Sequence, residues 1–200
     1  MTFVNTLFPN PRLIHDLQIN KTRPITIVGN NYTNQRISKQ RNYLKRWNWP
    51  SRAMLSTDRI TLENFIQDTA QFGQNSFKFQ DPSGSLWNNV TLQYAGSANY
   101  FKLTERGLDD HPIYHLGSDV SVRVGGVNAA FGARTVLNGV PVIAVTGATS
   151  GSAVTISGTF YYAVRLDAAE FSYSMTALDT SNRAYADTLA DISLIEVFEY

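Results

Sequence analysis

The sequence predicts a mainly β fold: a β-sandwich with one packed α-helix, plus an inserted small β domain. Three observations carry this. One stretch alone has its apolar residues at helical spacing. Many short runs are β-branched or alternate apolar with polar residues. Turn signals such as Gly125-Gly126, Asn138-Gly139 and the Gly/Ser/Thr/Ala stretch over 146–152 punctuate those runs.

Taken in order, the N-terminal stretch is broken by Pro9 and Pro11 and reads as an extended arm. It leads into a strand, Pro24-Ile25-Thr26-Ile27-Val28, that ends at Gly29-Asn30. In the segment 41–49, Tyr43, Lys45, Trp47 and Trp49 fall on one face of a period-2 strand, with Leu44 and Arg46 on the other. Pro50 stops it. The helix is expected over Thr61 to Phe72, where Leu62, Phe65, Ile66, Thr69 and Phe72 form one stripe. Thr61 would be its N-cap, Glu63 suits the first turn, and Gly73 is a natural C′ residue.

Phe77-Lys78-Phe79 then reads as a short strand ended by Asp81-Pro82-Ser83-Gly84. Further strands are expected at Asn89–Tyr94, Tyr100–Thr104, Val120–Val124, Thr135–Val145, Ala153–Val164, Glu170–Ala177 and Ile192–Phe198. Asn138-Gly139 inside the fourth of these is a strong two-residue hairpin signal. The order of elements suggests a discontinuous layout. Residues 1–82 and 165–200 would form a β-sandwich/helix domain, and residues 83–164 an inserted peripheral β domain.

Composition excludes several classes. There is no cysteine, hence no disulfide framework or thiolate metal site. Neither a basic leader with an apolar run nor an apolar window of about 18 residues occurs, so neither a secretory signal nor a membrane helix is expected. The chain would be made in a cytoplasm and stay soluble until it assembles.

Charged residues are only 16% of the chain, below the roughly 25% typical of soluble domains, which fits a subunit that buries surface against partners. The net charge of +1 hides an asymmetry. From Arg12 to Arg59 there are ten Lys/Arg against Asp16 and Asp58, while from Asp167 to Tyr200 Arg183 is the only cation. A basic front and an acidic back can attract each other within one chain or between neighbours.

His111 and His115 are spaced i,i+4, but Pro112 between them argues against a helical metal site. With Asp109 and Asp110 alongside, they read as solvated loop residues. No G-x-S-x-G turn occurs, and the run Gly147-Ala148-Thr149-Ser150-Gly151-Ser152 lacks the Gly-Lys-Ser/Thr ending of a phosphate loop. The acids sit singly, so no carboxylate pair is recognisable. The basic aromatic segment 36–52 could stack nucleic acid, yet its aromatic face reads as core. The expectation is a protein that is not an enzyme, with no catalytic residues, metal or cofactor.

Several motifs, in order, resemble those of the distal tail proteins of phages and gene transfer agents. They begin with Phe8-Pro9, the strand Pro24–Val28, and Gln40-Arg41-Asn42 followed by Trp47, Trp49 and Pro50-Ser51-Arg52. Gly73 and the run Phe77-Lys78-Phe79-Gln80-Asp81-Pro82 are similar to the family's Gly…Phe-x-Phe-x-Asp-Pro signature. Phe160-Tyr161-Tyr162-Ala163-Val164-Arg165-Leu166-Asp167 is similar to its Phe-x-x-Pro-Val-Arg-Phe-Asp run, with Ala163 and Leu166 departing from it. The closing Ile192–Glu196 resembles the family's terminal strand.

The resemblance implies a structural virion protein, synthesised in a bacterial cytoplasm and located at the tail tip or baseplate. It would form a homo-oligomeric ring, a hexamer in the family, that joins the tail tube protein to the hub or tip proteins. The insert would carry fibre or peripheral baseplate proteins, and DNA would meet the ring only while crossing its lumen at ejection.

For the contacts between subunits, Arg41, Lys45, Arg46 and Arg52 are expected to meet Glu170, Asp187, Glu196 or Glu199 of the next copy. The alternative is a carbohydrate- or receptor-binding module whose aromatics, Tyr94, Tyr100 and Tyr114, stack on sugars. A tail-associated hydrolase using Asp109, Asp110 or His111 is the remaining reading.

Overall fold

The computed structural model of the chain describes residues 2–9, 17–22, 26–30, 33–37, 44–50, 52–54, 56–106, 111–167, 173–178, 184–189 and 192–198. It is mainly β with one helix, and it divides into two compact units. One unit comprises Met1–Thr22, Leu44–Phe79 and Ala163–Val197; the other comprises Arg23–Tyr43, Gln80–Tyr162 and Phe198–Tyr200. The sequence placed the changes of domain after residues 82 and 164, a few residues later than these divisions. It also placed 23–43 and 198–200 in the first domain, whereas both group with the second unit. Order along the chain carries no information about such excursions. The hairpin of Thr26–Asn30 and Thr33–Ile37 pairs only with itself among the described strands, so sheet pairing does not tie it to the first unit.

The first unit is organised by a sheet whose neighbours run Thr2–Leu7, Asn75–Phe79, the end of Val154–Leu166, Ile192–Glu196, Leu44–Trp49 and Gln18–Thr22. Thr2–Leu7 is parallel to Asn75–Phe79; Ile192–Glu196 is antiparallel to both of its neighbours. Alternation decides which side is covered. Lys45, Trp47 and Trp49 are buried on one face of their strand, while Arg46 is exposed on the other, as the period-2 pattern requires. Phe8, Trp47, Trp49, Phe65, Phe77 and Phe79 make one aromatic cluster. Phe65 from the helix stands edge-on to Phe77 at 4.9 Å and to Phe8 at 5.5 Å, and Trp47 meets Phe79 at 5.1 Å. Such edge-to-face pairs contribute about 0.5–1.5 kcal/mol each beyond the area they bury. A second sheet of Tyr173–Leu178, Ala184–Leu189 and Arg52–Met54 completes this unit.

The helix departs from its expected bounds at both ends. It begins as an α-helix at Ser56–Asn64, continues as a π turn over Phe65–Thr69, and closes in a 3-10 turn at Gln71–Gly73. Thr61 is therefore not its N-cap; its hydroxyl donates to the carbonyl of Thr57 one turn back. Leu62, Phe65 and Ile66 are buried as the stripe predicts, but Phe72 is 45% exposed. The π turn explains this, because one extra residue per turn advances the phase and swings the next positions off the apolar face. Gln71, Phe72 and Gly73 then take φ of +45°, +52° and +87° in succession. Gly73 is required for a second reason: a Cβ there would lie 2.8 Å from the carbonyl oxygen of Leu166.

In the second unit, the first part of the Val154–Leu166 strand is the spine. It pairs antiparallel with Leu86–Thr91, His115–Leu116 and Ser121–Val124, and Val127–Ala129 adds to the last of these. Thr135–Leu137, Val140–Ala144 and Tyr100–Lys102 form a separate three-stranded sheet. Asn138-Gly139 turns its hairpin with φ of +51° and +77°, the paired positive values of a type I′ turn. Trp87 and Phe160, 4.5 Å apart, anchor the core.

Candidate functional site

The residues singled out as an interface fall into three groups. Arg41, Glu170 and Glu199 lie outside the described residues. Lys45 and Glu196 are both buried, 3% and 5% exposed, and the backbone N–H of Lys45 donates to Glu196 Oε2 at 3.0 Å. These two are thus joined inside one chain, and their burial removes them from any contact between copies. The sequence missed this because a charged residue on an amphipathic strand is normally placed in solvent. Arg52 and Asp187 lie on adjacent strands of one sheet, where Leu189 opposes Arg52 and Asp187 opposes Met54. The basic front and acidic back therefore meet within the chain at Lys45 and Glu196, and again at Arg46 and Asp167.

Arg46 remains on the surface. It belongs to the face of the sheet opposite the aromatic cluster, and the register gives that face two rows. Arg165, Ile195, Arg46 and Asn20 stand side by side across four strands. The next row holds Asp167, Ser193, Asn48 and Gln18: the N–H of Asp167 donates to the carbonyl of Ser193, and Ser193 opposes Asn48, which opposes Gln18. Arg46 reaches Asp167 at 2.7 Å, and the Ser193 hydroxyl bonds Asn48 Oδ1.

Arg165 was not singled out from the sequence, although a signal existed. In Ala163-Val164-Arg165-Leu166 it occupies the polar phase between the buried Val164 and Leu166. Its side chain is half-buried and meets no carboxylate among the described residues.

In the second unit the histidine reading is corrected. His111 is 1% exposed rather than solvated. Its ring lies 5.8 Å from Phe198 and 6.1 Å from Tyr162, and its carbonyl accepts from the N–H of Glu105. Glu105 and Thr104 are buried beside it, and Trp87 Nε1 donates to both of their carbonyls at 3.0 Å. Asp109 and Asp110 lie outside the described residues. Among the described residues no group of three or more His, Asp or Glu is arranged to hold a metal ion.

Two of the three aromatic residues expected to stack on sugars, Tyr94 and Tyr114, are engaged within the chain. Tyr114 is 5% exposed with Arg134 stacked 5.5 Å from its ring, and Tyr94 packs against Phe101 at 5.8 Å. Trp47 and Trp49, which would have stacked nucleic acid, are core residues.

The stretch over 147–152 is a turn, closed by Ser152 N–H to the Thr149 carbonyl and Thr149 N–H to Ser152 Oγ. Asp119 locks the remaining corner. Its carboxylate accepts from the hydroxyl and N–H of Thr159, which holds its carboxyl below the usual carboxylate range despite the opposing effect of burial.

Among the described residues no helix is long and apolar enough to cross a membrane. No protein-family model matches the chain, and no curated protein matches it either.

Proposed function

We propose that this protein is a non-catalytic, ring-forming adaptor at the distal end of a phage-type tail. In this reading it joins the tail tube to the baseplate hub or tip, and its ring surrounds the channel through which DNA leaves. The observation that carries the reading is where two motif runs fall. Phe77-Lys78-Phe79-Gln80-Asp81-Pro82 spans the point at which the chain passes from the first unit to the second, after Phe79. Phe160 through Asp167 spans the point of return, after Tyr162. The resemblance expects an insert to begin and end at those two runs.

Local chemistry supports both runs as junctions. Phe77 and Phe79 are core residues, whereas Asp81 one step later is a turn-builder whose Oδ1 accepts from the N–H and hydroxyl of Ser83. At the return, Val164 and Leu166 are core residues and Arg165 and Asp167 face away. The sheet face bearing Arg165 and Arg46 supplies a charged patch of the kind a closed ring needs on one side of each subunit.

The test is assembly on the tube. Mixed with the tail-tube protein of the same virion and viewed by negative-stain electron microscopy, the protein should cap tube ends as rings. Tubes left bare, with the protein dispersed at all ratios, would contradict the proposal.

A further inference from the structure

We propose that Asn138 is a self-modification site. The backbone nitrogen of Gly139 converts its carboxamide, through a cyclic imide, to aspartate or isoaspartate, and the isoaspartate form loosens the edge strand Thr135–Leu137 from its sheet. Asn138-Gly139 is the only Asn-Gly pair in the sequence. The glycine matters because any other side chain would shield the backbone nitrogen that attacks.

The fold leaves the pair open to that reaction. The hairpin closes at Leu137 and Val140, so Asn138 and Gly139 form the two-residue loop and lie outside the ladder. Both residues are exposed. Asn138 holds φ of +51° and Gly139 of +77°, and a Cβ added at Gly139 would meet nothing within 4 Å. The Asn138 carboxamide and the Gly139 nitrogen are thus accessible to each other and to water. Other asparagines are restrained by their side-chain amides: Asn75 donates to the Thr69 carbonyl and Asn99 to the Val145 carbonyl.

The chemistry needs only water and base. Base removes the proton from the Gly139 nitrogen, a bond forms from that nitrogen to Asn138 Cγ, and the carboxamide nitrogen leaves as ammonia. Water then opens the imide. Cleavage at Cγ gives aspartate; cleavage at the backbone carbonyl gives isoaspartate, in which the chain runs through Cγ and gains a methylene. Net, one water is consumed and one ammonia is released.

That methylene falls in a loop whose paired positive φ values set the strand register. Thr135–Leu137 is at the edge of its sheet and pairs only with Val140–Ala144 among the described strands. Val140–Ala144 is held from its other side as well, by Tyr100–Lys102 and by the Leu103 N–H on the Pro141 carbonyl. Val142 and Ile143 are also fully buried. Loosening therefore falls on the edge strand and stops at Val140–Ala144.

The experiment ages the full chain in mildly alkaline buffer, folded and in parallel in urea, and maps its peptides by mass spectrometry. In the folded sample the peptide with Asn138 should lose its carboxamide before any other asparagine does. Isoaspartate in that peptide should be labelled by a protein isoaspartyl methyltransferase with radioactive S-adenosylmethionine. Amide exchange over Thr135–Leu137 should be faster in aged than in fresh protein, with Val154–Leu166 unchanged. Asn138→Gly keeps a residue that accepts positive φ and should lose the isoaspartate signal. Asn138→Asp, measured fresh, adds the charge without the methylene and should keep the exchange pattern of the fresh wild type.

If Asn138 stays intact in the folded protein while it converts in urea, the turn shields it and the proposal is overturned. If it converts in the folded protein but exchange over Thr135–Leu137 matches that of fresh protein, release of the edge strand is overturned.

Discussion

The two units of the molecule are stabilised by different means. In the first, six aromatic rings from two strands, the helix and the N-terminal arm interlock under one sheet face, with Trp47, Phe77 and Phe79 at most 1% exposed. In the second, the core around Trp87 and Phe160 is accompanied by buried polar groups and by corners that admit no side chain. Thr104, Glu105 and His111 are all buried there. A Cβ at Gly158 would lie 2.6 Å from the Val120 Cα, and one at Gly117 would lie 2.5 Å from Asp119 Oδ1. The contrast teaches that the first unit tolerates backbone irregularity but not loss of ring volume. The second does not tolerate added volume at Gly117 and Gly158.

The sharpest way to break that comparison is to empty the aromatic cluster. Trp47→Ala removes a fully buried ring and should cost about 3–5 kcal/mol in urea unfolding. A loss below about 1 kcal/mol would mean the cluster is not what holds the first unit. Next is Gly158→Ala. At φ +126° with no room for a Cβ, the substitution should cost about 3 kcal/mol, with amide exchange accelerating in the strands that flank residue 158. Glu196→Ala takes the acceptor from the buried Lys45 N–H and should cost about 2 kcal/mol.

The smallest effect is pH-dependent. Asp119 has its folded carboxyl held down by Thr159, so its contribution is present above the ordinary Asp value of about 3.9 and is lost as pH falls through the lower folded value. Wild type and Asp119→Ala should therefore differ most near neutrality, and their stability curves should converge in acid. A difference that grows in acid would reverse the sign argued here.

How much of this was legible in the sequence follows from which physical rule governed each part. The faces of the strand Leu44–Trp49 were readable because side chains alternate strictly along a strand, and Trp47, Trp49 and Arg46 obey that rule. Asn138-Gly139 was readable because few residues accept two successive positive φ values. The first turns of the helix were missed because Ser56 through Arg59 contain no apolar residue and Ile60 is 47% exposed, so no stripe announces them. Phe72 was misplaced because a π turn breaks the period on which the stripe was drawn. The strand Ala184–Leu189 escaped notice because its alternation rests on alanines.

The candidate site was legible only in part. Arg46 was placed correctly on the surface, but the burial of Lys45 and Glu196 depends on a partner 151 residues away, which local pattern cannot supply. His111 was assigned to solvent for the same reason: the groups that bury it, Tyr162 and Phe198, are distant in sequence. Arg165 lies in the polar phase of its strand, and only the sheet register sets it in one row with Arg46, across Ile195.

The central claim, that this chain closes on copies of itself to connect a tail tube to a hub, is tested most directly by the native mass of the purified protein, alone and with its hub protein. The account predicts a closed ring of identical copies, either spontaneously or once the hub is added, with the assembly weakening as salt is raised. A chain that stays monomeric with the hub at every concentration and salt would contradict it.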